Sequence, residues 1–92
     1  MKTKFIVIGY GWRADFFYRI ARALPEEFEV CAGVLRTEER AGQVAKEKGI
    51  FATTNLEDAL ASEPDFAVLC VPRAIVKEYL YRLMEKKVPV LC

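Results

Sequence analysis

The sequence has no histidine, only three cysteines and no apolar run long enough to cross a bilayer, which takes about 20 residues. Without histidine and without a Cys-x-x-Cys pair, the chain lacks the ligands of a structural zinc site, and we predict no metal site. An odd number of widely spaced cysteines argues against a disulfide framework. Cys31 and Cys70 lie in apolar stretches, which predicts small buried thiols in a reducing compartment.

An excess of charge of either sign is also lacking. The 14 basic and 13 acidic residues are interspersed and leave a net charge of +1, which gives no electrostatic basis for binding nucleic acid or an anionic membrane. The apolar run after Lys2 and Lys4 is short and meets glycine at once, unlike a signal peptide. With 53% hydrophobic residues in 92, the chain is predicted to form one domain, residues 1–92, of a soluble cytoplasmic protein.

Two hydrophobic periods alternate along the chain. Short apolar runs predict strands at 4–9, 28–35, 50–53, 65–71 and 88–92. The segments between these runs predict helices. The order β-α-β-α-β-α-β-α-β predicts an α/β fold, a doubly wound, Rossmann-like parallel sheet with right-handed crossovers. Because no covering helix follows the last strand, we interpret the chain as a fragment of a longer two-domain protein.

Helix boundaries are predicted from apolar spacing and from capping residues. The second helix is predicted from Thr37 as N-cap through Lys48, with Gly49 as the residue that ends it. Thr54 and Glu57 have the spacing of a capping box for a short third helix. The apolar faces of the first and fourth helices are predicted to be Phe16, Phe17, Ile20 and Leu24, and Val76, Tyr79, Leu80 and Leu83.

The segment Gly9-Tyr10-Gly11-Trp12-Arg13-Ala14 joins the first strand to the first helix. It reads G-x-G-x-x-A in the strand–turn–helix context of a dinucleotide-binding loop. Gly9 permits the tight turn, Gly11 lets a pyrophosphate approach the backbone, and Ala14 lets the helix pack closely on the sheet. The helix N-terminus then offers free N–H groups to the phosphates. The alternative is a glycine turn required only for packing.

Two residues of this loop have more than one interpretation. Arg13 lies in the first helical turn, where a cation is unfavourable unless an anion is near, and it either contacts a phosphate or is a solvated surface residue. Trp12 forms a wall of the cofactor cleft, meets a second domain, or packs in the core.

The carboxyl ends of the other strands are predicted to face the same cleft. Leu35, Arg36 and Thr37 end the second strand. The fourth strand leads into Val71, Pro72 and Arg73, which are predicted to pass beneath the nicotinamide-side ribose. Pro72 also reads simply as a turn former, and Arg73 as a surface residue.

The end of the second strand also bears on cofactor choice. NAD-specific domains place a carboxylate there to bind the ribose diol, whereas this chain has Leu35 followed by Arg36. The Arg36 guanidinium suits a 2′-phosphate, and Thr37 and Arg40 are further candidates to contact it. We therefore predict NADP or NAD as cofactor, with NADP slightly favoured. The alternative is that Arg36 is solvated and the site takes either.

The chain resembles the N-terminal domain of the Gfo/Idh/MocA oxidoreductases, the glucose–fructose oxidoreductase and inositol dehydrogenase family. The resemblance covers essentially all 92 residues. It rests on the ordered segments FIVIGYGWRA, VLRTEERAGQVAKEKGI, TNLEDAL, PDFAVLCVP and KKVPVLC. It implies that NAD or NADP binds here and that a C-terminal domain carries the substrate site and a homo-oligomer interface. By position, Gly9, Gly11 and Ala14 match the phosphate loop, Leu35 and Arg36 the adenosine-ribose readers, and Val71 and Pro72 the usual Thr-Pro.

The sequence departs from the family pattern where catalytic residues are expected. Val76 stands where members often carry histidine, and the Glu-Lys-Pro that usually follows the fifth strand does not appear before Cys92. We therefore predict no catalytic residue in this chain. The predicted function is the NAD(P)-binding domain of an oxidoreductase that transfers hydride to or from a sugar, polyol or related hydroxyl or carbonyl compound. The alternatives are a regulatory or redox-sensing Rossmann module without catalysis, and a domain for another nucleotide.

Overall fold

The computed structural model describes residues 2–91, which form a parallel sheet with helices on both faces. The sheet order is β3-β2-β1-β4-β5, and every pairing is parallel. This confirms the predicted doubly wound α/β fold. The elements are β1 Thr3–Gly9, α1 Trp12–Ala23, β2 Phe28–Val34, α2 Glu38–Lys48, β3 Ala52–Thr53, α3 Leu56–Leu60, β4 Phe66–Cys70, α4 Arg73–Glu85 and β5 Val90–Leu91.

The central strand β1 is apolar on both faces because helices cover both. Ile6 and Ile8 are fully buried in a core shared with α3 and α4, whereas Phe5 and Val7 are buried in a second core under α1 and α2. Burial of each such side chain contributes about 1.5–3 kcal/mol. The ring of Phe5 also stacks on that of Phe66 in β4, with centroids 5.1 Å apart. Together these contacts fix β1 and β4 side by side.

The position of β1 creates the crevice in which such folds bind ligands. The chain runs from β1 to β2 on one side, and returns after β3 to place β4 on the other side of β1. The loops that follow β1 and β4 therefore diverge at the carboxyl ends of two adjacent strands. The site predicted from the glycine loop lies at this point.

The ends of α2 agree with the sequence prediction, whereas the start of α3 does not. Thr37 Oγ1 accepts a hydrogen bond from the Arg40 N–H at 3.1 Å, and Gly49 ends α2 in the left-handed conformation. The predicted Thr54 cap is wrong, because Asn55 Oδ1 accepts from the Glu57 N–H at 2.9 Å and the helix begins one residue later. Asparagine is as good an N-cap as a hydroxyl residue. Thr54 instead donates its hydroxyl to a neighbouring carboxylate.

The apolar face predicted for α1 is partly wrong. Phe16 and Leu24 are exposed, at 54% and 45% of their surface. The face on the sheet consists instead of Ala14, Phe17, Tyr18 and Ala21, which recur at helical spacing. Small alanines and an amphipathic tyrosine give a weaker hydrophobic signal than the phenylalanine and leucine that point outward.

Some strand ends and thiols also differ from expectation. The edge strands are shorter than predicted, at Ala52–Thr53 and Val90–Leu91, and Cys92 lies outside the described residues. Cys31 and Cys70 are half-buried rather than buried, since β3 pairs only with the far end of β2 and Cys70 lies at the open carboxyl end of β4. No helix within residues 2–91 is long and apolar enough to cross a membrane.

Candidate functional site

The two glycines of the loop have similar positive φ angles but different surroundings. Gly9 and Gly11 have φ of 115° and 122°, a region that residues with a side chain avoid. A Cβ on Gly9 would lie 2.2 Å from the carbonyl oxygen of Cys70. Gly9 is therefore required by the close approach of β1 to β4, whether or not a ligand binds.

Gly11 faces open space. No heavy atom outside its chain neighbours lies within 4 Å of a Cβ placed there, so the packing of the described residues does not demand a small residue. Gly11 is also the N-cap of α1, and no side chain caps this helix, in contrast to α2 and α3. The first N–H groups of α1 thus have no side-chain cap, and the space beside Gly11 is open. An open helix N-terminus of this kind suits an anion such as phosphate.

Just behind the loop, α1 is tied to α2 by an ion pair. The carboxylate of Asp15 accepts a hydrogen bond from the Lys48 ammonium and lies 3.1 Å from Nε of Arg19. The Lys48 hydrogen bond holds the pKa of Asp15 below its ordinary value, and the charges of Lys48, Arg19 and Arg22 lower the pKa further. The negative charge of Asp15 is therefore compensated by bases behind the loop.

The substitution Asp15→Asn is expected to lower Tm near neutral pH but to make little difference in acid. Because folding depresses the pKa of Asp15, the stability it contributes is complete above the pKa of an unfolded aspartate. That stability is lost as the pH falls through the folded-state pKa. Thermal unfolding of both proteins from about pH 7 to about pH 3 measures the effect. Asp58→Asn removes an exposed carboxylate that has no ion pair among the described residues and is the control. A gap between wild type and Asp15→Asn that stays constant with pH would contradict the assignment.

Two adjoining hollows at the carboxyl edge of the sheet form the candidate site, which we call the carboxyl-edge cleft. Loops after β1, β2 and β4 enclose a hollow of about 260 Å³, lined by Gly9, Tyr10, Leu35, Arg36, Thr37, Arg40, Cys70, Val71 and Pro72. A second hollow of about 140 Å³ adjoins it and is lined by Tyr10, Gly11, Trp12, Arg13, Cys70 and Val71. Nearly all the residues predicted from the sequence come together here. Ala14 is buried beneath the loop, and Arg73, exposed at the start of α4, lines neither hollow.

The two hollows of the cleft are lined by arginines and not by carboxylates, whereas a third hollow of about 320 Å³, which also reaches Gly11 and Trp12, is lined by Asp15, Glu47 and Lys48. Arg13, Arg36 and Arg40 are exposed there. Within residues 2–91 none of them has a carboxylate partner within 4 Å, whereas Arg19 and Arg82 on the outer helices are paired. No aspartate or glutamate lines either hollow. Unpaired guanidinium groups around a concave surface favour a ligand with phosphate groups.

Individual side chains of the cleft differ in what they offer a ligand. Leu35 is 2% exposed and packs in the core, so the exposed Arg36 is the group that projects at the end of β2. The Thr37 oxygen accepts the Arg40 N–H, and its hydroxyl proton stays available to donate. Trp12 is 81% exposed, which rules out core packing among the described residues and leaves a cofactor wall or a contact with a second domain.

Nothing in the sequence indicates that Tyr10 contacts a cation or that Gly33 has a packing role. The Arg40 guanidinium carbon lies 4.0 Å from the centroid of the Tyr10 ring, a contact between residues far apart in the chain.

A Cβ on Gly33 would lie 2.8 Å from the Tyr18 hydroxyl, which is buried and has no hydrogen-bond partner among the described residues. Burial raises the pKa of Tyr18, and the charges of Cys70 and Asp15 raise it further, so the tyrosine stays neutral. Gly33 thus makes room for the tyrosine that anchors α1.

A larger hollow, of about 720 Å³, opens beside the amino-terminal half of β2, where β3 does not extend. It is lined by residues such as Lys4, Arg22, Glu29 and Phe51. None of the residues predicted to bind cofactor lines it, and it contains no helix N-terminus. The carboxyl-edge cleft, although smaller, has the groups that bind phosphate.

Residues 3–92 match the model of a protein family described as the oxidoreductase family with NAD-binding Rossmann fold, Gfo/Idh/MocA. The chain belongs to the Gfo/Idh/MocA family. It is an NAD-binding domain of the oxidoreductase type, as the sequence resemblance implied. No match was found among curated proteins.

Solved structures similar to this Gfo/Idh/MocA chain include an oxidoreductase, a dehydrogenase and a protein in complex with NAD. An oxidoreductase from Thermotoga maritima is 27% identical over 100% of this chain and 29% of its own, with a TM-score of 0.81. GenD2 from gentamicin A biosynthesis, in complex with NAD, is 23% identical over 97% of this chain and 26% of its own, with a TM-score of 0.85. The WlbA dehydrogenase from Bordetella pertussis, in complex with NADH and UDP-GlcNAcA, is 18% identical over 98% and 28%, with a TM-score of 0.86. The chain thus spans less than a third of the length of these proteins.

Proposed function

We propose that the carboxyl-edge cleft holds the NAD(P) cofactor of an oxidoreductase that transfers hydride to or from a hydroxyl or carbonyl group of a sugar, polyol or related compound. The observation that carries this proposal is Gly11. Its φ of 122°, the open space beside it and the uncapped N-terminus of α1 combine in one place. A pyrophosphate fits there because N–H donors and a positive helix end meet a surface without side chains.

The remaining cleft residues suit the rest of a dinucleotide. The N–H groups of Trp12, Arg13 and Ala14, in the first turn of α1, would hold the pyrophosphate, and the exposed Arg13 guanidinium could add a charged hydrogen bond. Arg36 and Thr37 face the adenosine ribose. Further along the cofactor, the loop after β4 would meet the second ribose.

Val71 and Pro72 pass beneath the nicotinamide-side ribose, and Trp12 forms the outer wall of the cleft. Arg73 contributes charge at the start of α4. When bound, the nicotinamide supplies the hydride acceptor or donor, and the protein supplies position and electrostatics. Within residues 2–91 no Asp, Glu or Lys side chain lines either hollow. Because the chain spans less than a third of the length of the similar structures, we propose that the acid–base residue and the substrate pocket lie in further parts of a longer, oligomeric polypeptide.

The substrate class rests on the similar structures. One is the WlbA dehydrogenase with NADH and UDP-GlcNAcA, and another is the UDP-N-acetylglucosamine 3-dehydrogenase GnnA from Acidithiobacillus ferrooxidans, 23% identical with a TM-score of 0.83. Both names point to sugars carried on a nucleotide. They support a hydroxyl-bearing sugar or polyol for this protein.

Trp12 provides the direct test of the cleft, since it is the only tryptophan of the chain and lies in the phosphate loop. Titration with NADP, NAD and their reduced forms is expected to change its fluorescence saturably, and reduced nicotinamide is expected to quench it most through energy transfer. ADP and ATP serve as comparison ligands. Absence of any saturable change with the dinucleotides, checked by calorimetry, would refute the proposal. Equal or tighter binding of ATP would indicate a site for another nucleotide.

The Arg36 side chain gives the prediction on cofactor choice. NADP is expected to bind more tightly than NAD, because the exposed guanidinium meets the 2′-phosphate and no carboxylate lines the cleft to repel it. A charged hydrogen bond of this kind contributes roughly 1.5–3 kcal/mol, or about one to two decades in affinity. Arg36→Ala is expected to remove most of that difference and to leave NAD binding nearly unchanged, as measured by parallel calorimetric titrations. Equal wild-type affinities, or a preference that survives the substitution, would show that Arg36 does not read the phosphate.

A further inference from the structure

The aromatic residue between the two loop glycines contacts a cation of α2. Tyr10 is about half exposed, yet the guanidinium carbon of Arg40 lies over its ring, 4.0 Å from the centroid. Both residues line the 260 Å³ hollow of the carboxyl-edge cleft, beside Arg36 and Thr37. The contact therefore belongs to the end of the cleft at which β2 and α2 meet.

Both partners are anchored at the backbone. Tyr10 is flanked by Gly9 and Gly11, and the approach of Gly9 to β4 fixes the path of the turn. The Arg40 N–H is held by the Thr37 hydroxyl oxygen in the first turn of α2. What remains free is the long arginine side chain, which has no carboxylate partner within residues 2–91. The Tyr10 ring is the group that restricts it.

A guanidinium held over an aromatic ring keeps its N–H groups available. The face of the aromatic ring attracts the positively charged guanidinium. The five N–H donors of the guanidinium lie in its own plane and point outward from it. An arginine held in this way can donate to an anion at lower entropic cost than a freely rotating one. At this position the anion in reach is one that also contacts Arg36 and Thr37.

We propose that Tyr10 is a positioning residue for cofactor choice: its ring holds Arg40 so that two guanidinium groups and one hydroxyl converge on the 2′-phosphate of NADP. This inference rests on the proposed function, since it assumes that the cleft binds the dinucleotide. It goes beyond that function because it assigns selectivity to a residue that does not itself contact the phosphate. Tyr10 acts through Arg40 and is expected to matter for NADP far more than for NAD.

The test compares four variants of the chain by calorimetric titration with NADP and with NAD. Tyr10→Leu is expected to weaken NADP binding about three- to tenfold, which corresponds to a lost cation–π contact and the added freedom of one side chain, while NAD affinity changes less than about twofold. Tyr10→Phe keeps the aromatic ring and is expected to retain the wild-type preference for NADP over NAD. Arg40→Ala is expected to lose at least as much NADP affinity as Tyr10→Leu. Adding Tyr10→Leu to Arg40→Ala is expected to cost nothing further, because the two residues act as a unit.

Tyr81→Leu is the matched control. Tyr81 is likewise an exposed tyrosine near a cation, Lys77, but it lies on α4 and lines neither hollow of the cleft. Its loss is expected to change neither affinity.

Three other outcomes would overturn the inference, and each has a different physical meaning. Equal losses of NADP and NAD in Tyr10→Leu would mean that Tyr10 shapes the loop or that Arg40 stacks on the adenine common to both cofactors. Additive losses in the double variant would separate Tyr10 from Arg40. A wild-type chain that is folded by circular dichroism but binds neither cofactor would overturn the proposed function together with this inference.

Discussion

Replacement of Gly11 by valine is expected to abolish measurable binding of NAD and NADP while the chain remains folded. The new side chain would fill the open space beside the N-terminus of α1, where the pyrophosphate is proposed to lie. Loss of two charge-assisted hydrogen bonds, each worth roughly 1.5–3 kcal/mol, weakens affinity by at least about a hundredfold. The positive φ of 122° adds backbone strain of about 1–3 kcal/mol to the folded state.

Gly49 supplies the matched control for this strain. It also has a positive φ and open space around a Cβ, but it ends α2 and lies outside the carboxyl-edge cleft. Gly49→Val is therefore expected to destabilise the fold and to leave cofactor affinity unchanged. Circular dichroism and calorimetric titration separate the two effects, and Gly11→Ala provides a milder variant in which the fold is less strained. Cofactor affinities of Gly11→Val equal to those of Gly49→Val would exclude the loop as the pyrophosphate site.

The sequence predicts this fold where local signals and tertiary packing agree. Residues 5–8 of β1 are all apolar and are buried on both faces. Thr37 marks the start of α2 through its side-chain oxygen, and Gly49 marks the end through its left-handed backbone conformation. The face of α1 was harder to predict, since Phe16 is more hydrophobic than Ala14 yet points to solvent. Only the close approach of the helix to the sheet selects the small residue for the buried position.

In the candidate site, too, some features follow from the sequence and others only from the folded structure. Parallel topology brings the ends of β1, β2 and β4 to one edge, so Arg36 and Val71 were predictable as neighbours of the glycine loop. The stacking of Arg40 on Tyr10 was not, because it depends on side-chain directions from two elements. The sequence assigns the two loop glycines different roles, the turn to Gly9 and the approach of a pyrophosphate to Gly11. It does not show the difference in packing, since only the neighbouring strand β4 brings the Cys70 carbonyl against Gly9, whereas Gly11 faces open space.

That difference leads to the second large effect: Gly9→Ala is expected to destabilise the fold severely. The added methyl group would lie 2.2 Å from the Cys70 carbonyl oxygen and 2.6 Å from its carbon. These atoms are backbone and cannot rotate away, so β1 and β4 would have to separate at the centre of the sheet. Overpacking of about 1–3 kcal/mol and a cost of about 1–3 kcal/mol for the positive φ are together a large part of the free energy of unfolding of a small domain, roughly 5–15 kcal/mol.

Urea denaturation of Gly9→Ala and Gly42→Ala measures this prediction. Gly42 is exposed within α2, and nothing lies within 4 Å of a Cβ placed there, so its replacement by alanine is expected to stabilise the chain by roughly 0.5–1 kcal/mol. Gly9→Ala is expected to lower the denaturation midpoint strongly and to weaken cofactor binding only in proportion to the unfolded fraction. A Gly9→Ala protein as stable as wild type would show that β1 and β4 are not held at the observed distance. In that case Gly9, like Gly11, would not be required by the packing of the described residues.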